Sequence, residues 1–152
     1  MLEKMIKNPG QKIYSTRITM VFVLVLTLIS SLLLIINTNI MFPFSLFTPQ
    51  YFAYVSYLFF STNNIESTLF YLVMALAVLG LFFYFYRASK NKPKLYFAAL
   101  ILYILDTIFM VVSTFEANSF GWMIDLAFHL WIIYTLLTAV IIVKKGLQNE
   151  SL

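Results

Sequence analysis

Three ionisable side chains stand inside otherwise uncharged apolar runs of this sequence: Asp106 in one run, and Asp125 with His129 in another. Two carboxylates beside an imidazole are the residue types of a proton relay, a cation site or a hydrogen-bonded clasp. Asp125 and His129 are spaced i, i+4, which places them on one face of a helix. At about 1.5 Å per residue, Asp106 lies roughly 13 Å from the end of its run near Phe115, and His129 roughly 11 Å from the start of its own at Trp122. The two depths match. The short connection around Glu116 to Gly121 makes the two runs antiparallel neighbours, so an Asp106 to His129 contact is expected, with Tyr103 one turn from Asp106 on the same stripe.

Other chemistries have less behind them. One histidine and two acids supply three metal ligands, with Glu66 or Glu116 within reach from loops. However, there is no HExxH pattern and no second histidine, and neither metal nor cofactor is expected. Ser30 or Ser31 with His129 and Asp106 has the composition of a nucleophilic triad, without the GxSxG elbow that would present the serine. The absence of cysteine excludes thiol nucleophiles, CxxC redox centres and disulfides.

The elements that must position these groups follow from composition. The 152 residues are 62% hydrophobic and 11% charged, so a water-facing surface cannot be assembled from them, and the surrounding solvent is lipid. Four runs are long enough to cross a bilayer: about 18–37, 67–86, 95–115 and 122–143. The expected fold is an all-α integral membrane protein, an antiparallel bundle of four transmembrane helices forming a single membrane domain over residues 1–152.

Charge sets the threading. Lys4, Lys7, Lys12 and Arg17 precede the first run, Arg87, Lys90, Lys92 and Lys94 fill the second-to-third connection, and Lys144 and Lys145 follow the fourth. Basic residues stay on the cytoplasmic side, so both termini are expected in the cytoplasm of a multi-pass cell-membrane protein. The net charge of +4 is then a topology signal, and no nucleic-acid partner is implied. The first run exceeds the length of a signal-peptide core and lacks a small-x-small cleavage site, which makes it an anchor.

Residues 41–62 are apolar, but a fifth crossing there would put the basic 87–94 cluster outside, and Pro43 and Pro49 interrupt the run. Thr48 followed by Pro49 reads as an N-cap and first helical residue, giving a short helix over about 49–60. Rich in Tyr and Phe, it is expected as an interfacial or re-entrant helix in the first external loop. Asn63 and Glu66 have the spacing of a capping box for the second span. Thr27, Ser30 and Ser31, and the small pair Ala77 and Gly80, are expected to mark helix contacts. Polar stripes of Ala99, Tyr103, Asp106 and Ser113, and of Trp122, Asp125, His129 and Leu136, are expected to face each other.

Two functions fit these residues. One is a noncatalytic membrane module, an accessory subunit or a binder of lipid or a cationic ligand, in which the cluster is a clasp or ligand site. The other is a proton- or cation-coupled transporter acting as a homo-oligomer or within a larger complex; an intramembrane hydrolase ranks third.

Overall fold

The computed structural model describes residues 8–36, 42, 45–114 and 121–146. Expectations placed on Lys4, Lys7, Asn37, Pro43, Phe115 and Glu116 lie outside these residues. The described chain is helical: α1 (Pro9–Ile35), α2 (Phe47–Ser61), α3 (Ile65–Ala88), α4 (Leu95–Thr114) and α5 (Gly121–Lys144). All but α2 are long and apolar enough to span a membrane, and α2 is the short aromatic-rich helix between the first two spans.

The first helix starts well before its apolar run, because Pro9 fits the first turn and Lys12 and Arg17 extend the helix towards water. Its basic end lies with those of α3, α4 and α5. Arg17 Nη1 donates to Ser89 Oγ at 3.4 Å, the Arg17 guanidinium sits 4.9 Å from the centre of the Tyr86 ring, and Lys94 and Lys144 line one groove. Lys12, Arg17, Arg87, Lys90, Lys92, Lys94, Lys144 and Lys145 thus gather at one end of the bundle. Glu66, Asp106 and Asp125 lie towards the other.

The core runs along the bundle axis. Met20 and Val23 of α1, Phe82 of α3, Tyr96, Ala99 and Tyr103 of α4, and Ile132, Leu136, Ala139 and Ile142 of α5 are buried together. On α4 the buried positions are Tyr96, Ala99, Leu100, Tyr103, Asp106, Thr107 and Met110, the stripe expected of one helical face. Ser113 departs from its expected place on that stripe and is exposed, Met110 closing the buried face instead. The outward faces are also apolar: Phe70, Val73, Phe83, Leu105, Val112 and Leu130 are each more than half exposed, as lipid solvent requires. The pair Ala77 and Gly80 does not mark a close helix contact. Both are exposed, and a Cβ added at Gly80 would meet nothing within 4 Å.

The α2–α3 hairpin is closed by three residues. Asn63 takes the left-handed conformation at φ 58°, which asparagine tolerates better than most side chains. Its N–H donates to Phe60 O, and the Asn64 N–H reaches back to Phe59 O, both at 3.0 Å, so these two carbonyls in the last turn of α2 are satisfied. Asn64 then caps α3, its side chain accepting from Ser67 N at 3.1 Å. The cap is therefore Asn64 rather than Asn63, since Asn63 is used to reverse the chain.

Candidate functional site: a carboxylate that caps a re-entrant helix

A helix of any length begins with backbone N–H groups that have no partner in the turn before them. For α2 these belong to Leu46, Phe47, Thr48 and Pro49. Proline has no N–H. The other three are answered by side chains of the neighbouring spans: Leu46 N donates to Thr27 Oγ1 at 2.8 Å, Phe47 N to Asp106 Oδ2 at 2.9 Å, and Thr48 N to Asp106 Oδ1 at 2.7 Å. Every donor at the start of α2 is accounted for, none by α2 itself. The expected cap at Thr48 with Pro49 as first helical residue is thus replaced by a cap supplied across space. Leu46 stands at the N-cap position and makes no side-chain cap bond, and Pro49 is the third helical residue.

The register of this arrangement is set by depth. Thr27 and Asp106 each stand eight residues before the ends of α1 and α4, roughly 12 Å into the bundle. The start of α2 is therefore inside the bundle, and the helix runs back out along α3, with Phe59 stacked on Tyr71 (5.5 Å between ring centres) and Ser56 Oγ donating to Thr68 O. Between re-entrant and surface-lying, these contacts describe a re-entrant helix. Its inward face is small and polar, with Pro49, Gln50, Ala53 and Ser56 buried, while Tyr51, Tyr54 and Phe60 face outwards. Phe42 and Ser45, the described residues ahead of Leu46, are tied down as well: Phe42 N donates to Ser30 Oγ, Ser45 Oγ to Phe42 O, and Gln50 Nε2 to Ser45 Oγ.

His129 completes the site. Asp106 and His129 are each 3% exposed. The Nδ1 of His129 lies 2.9 Å from the main-chain oxygen of Asp125, which can only accept, so Nδ1 carries the hydrogen and donates. Its Nε2 stands 3.4 Å from Asp106 Oδ2, within ion-pair distance but without hydrogen-bond geometry. At that distance the two groups are close enough to interact electrostatically. Tyr103 is fully buried, with its ring 5.1 Å from the imidazole and 6.1 Å from Phe82, and its hydroxyl makes no hydrogen bond among the described residues.

No family model, curated protein or solved structure matches this chain. Roles are therefore assigned from geometry. Of the four residues singled out in the sequence, Asp106, His129 and Tyr103 meet in one buried cluster, and Asp125 joins it through its main-chain carbonyl, with its side chain half-buried. Among the described residues neither nitrogen of His129 meets a serine hydroxyl, and Ser30 Oγ is engaged by Phe42 N. Among the described residues no group of three His, Asp or Glu is arranged to hold a metal ion. The partners missed by sequence reasoning are the amides of Phe47 and Thr48. The available signal was proline at the third helical position beside an intramembrane Asp at matching depth.

Proposed function

We propose that this chain is a noncatalytic membrane module in which Asp106 is the keystone of a clasp that holds α2 inside the bundle. The supporting observation is that both carboxylate oxygens of Asp106 accept from backbone amides of α2. A carboxylate so engaged has its acceptor sites directed at its own fold, and a helix N-terminus is a favourable partner for negative charge. That leaves the outward aromatic surface of α2 and the apolar faces of the spans as the working surfaces, suited to lipid or to the spans of a larger membrane assembly.

Transport by proton or cation coupling is the competing reading, favoured by the close, imperfectly bonded Asp106 and His129 pair. Purified protein in proteoliposomes under an imposed pH gradient separates them. The expected result is no proton or monovalent-cation flux above protein-free vesicles. Flux that disappears in Asp106→Asn while the variant keeps its melting temperature would overturn the clasp.

We infer further that the basic end faces the cytoplasm of a cell membrane, supported by eight described Lys and Arg at that end and by the absence there of any described carboxylate. The chain has no cysteine, so single probes report cleanly. A cysteine replacing Asn91 should resist an impermeant maleimide in intact cells and react after permeabilisation. Labelling in intact cells would reverse the orientation.

A further inference from the structure

The α1 and α3 helices part along one side of the bundle and leave a long groove. Its deeper section, about 370 Å³, is walled by Val21, Val25, Leu28, Leu76 and Phe83, with Gly80 in its floor. A second section of about 400 Å³ shares Val21, Val25 and Tyr86 and opens at Arg17. From Arg17 to Leu28 the groove follows α1 for roughly 16 Å, against a hydrocarbon half-thickness of about 15 Å. It is an apolar channel one leaflet deep with a guanidinium at its mouth.

That guanidinium has capacity to spare. Among the described residues Arg17 makes one hydrogen bond, to Ser89 Oγ, and lies over the Tyr86 ring, while guanidinium carries five N–H donors in a fork that fits phosphate. Among the described residues the carboxylates are Glu66, Asp106 and Asp125, all towards the other end of the bundle, so none of them neutralises it. The ring and the serine hold the side chain at the groove mouth.

We infer that this groove binds a glycerophospholipid with a net-anionic headgroup, its phosphate on Arg17 and one acyl chain laid between α1 and α3 down to Gly80. The inference is independent of the clasp, which lies towards the opposite end.

The test is native mass spectrometry of the full chain with phosphatidylglycerol or phosphatidylcholine of identical acyl chains. Wild-type protein should retain phosphatidylglycerol about fivefold better, the scale of one basic contact at a membrane surface. Arg17→Gln should bring the two lipids level, whereas Lys92→Gln, at an exposed position in the α3–α4 connection, should leave the preference intact. Gly80→Leu has room for its side chain, leaves Arg17 in place, and should weaken retention of both lipids by obstructing the acyl path. Equal binding of the two lipids to wild-type protein would overturn the inference. So would a preference that follows Lys92 and ignores Arg17, or retention untouched by Gly80→Leu in a protein that melts as wild type.

Discussion

Asp106→Ala is expected to destabilise the protein in detergent by about 3–5 kcal/mol, the scale for removing one partner from a buried charged pair. The change strips the acceptors from Phe47 N and Thr48 N, leaves both donors inside the bundle, and removes the group that faces His129 Nε2. Thr27→Val is the built-in comparison, because it removes a single neutral acceptor from the same helix start, that of Leu46 N. Polar contacts of that kind in membrane bundles average about 0.6 kcal/mol. A thermal melt of the two variants should separate them clearly, with Asp106→Ala falling by about 10 °C on the entropy scale of a chain this long. Asp106→Asn should fall between them, since its amide can accept one N–H but turns its own donors towards the second. If Asp106→Ala melts with Thr27→Val, the carboxylate is not what holds α2.

The reason an intramembrane charge can serve as a cap lies in the solvent. At a water-exposed helix start the unmatched amides are hydrated, and a local Ser, Thr or Asn side chain is enough. At the depth of Thr27 and Asp106 that recourse is gone, and the amides must find their acceptors on the neighbouring spans. The carboxylate and the helix end therefore solve each other's problem: two amides and the helix dipole stabilise the charge, and the charge stabilises the amides.

The same physics explains what the sequence displays and what it conceals. The spans are legible because twenty apolar residues bounded by charge admit few other structures, and the pairing of Asp106 with His129 follows from their depth and a short connection. Which face of each span points inwards is far less legible. Phe82 is fully buried and Phe83 is 54% exposed, yet both are phenylalanine, because lipid accepts the same side chains as the core does. Only the polar residues break that degeneracy: Thr27, Ser30 and Asp106 are buried as their types require, whereas the small pair Ala77 and Gly80 is exposed to the lipid side. The trans cap was hidden for a different reason. Its donors are backbone amides, which every residue but proline carries, so no residue type announces them.

His129→Phe is expected to lower stability by about 2 kcal/mol, and that loss should depend on Asp106. Phenylalanine keeps an aromatic ring of similar size beside Tyr103 and removes both ring nitrogens, so packing is largely conserved while the polar neighbour of Asp106 is lost. What remains is a buried carboxylate held only by the amides of Phe47 and Thr48. Those two bonds and the dipole of α2 keep the cost below that of an uncompensated charge, which places His129 second to the amides in the clasp. A double-mutant cycle isolates this contribution. Once Asp106→Asn has removed the negative charge, adding His129→Phe should cost little more, giving a coupling of about 0.5–3 kcal/mol, the range for residues in one hydrogen-bond or charge network. The sign matters as much as the size. Strict additivity would mean that the 3.4 Å approach of Nε2 to Oδ2 carries no energy and that His129 stabilises through its packing on Tyr103 and its bond to the Asp125 carbonyl alone. Positive coupling means that the imidazole and the carboxylate stabilise each other and that three helices, α2, α4 and α5, are joined through one carboxylate.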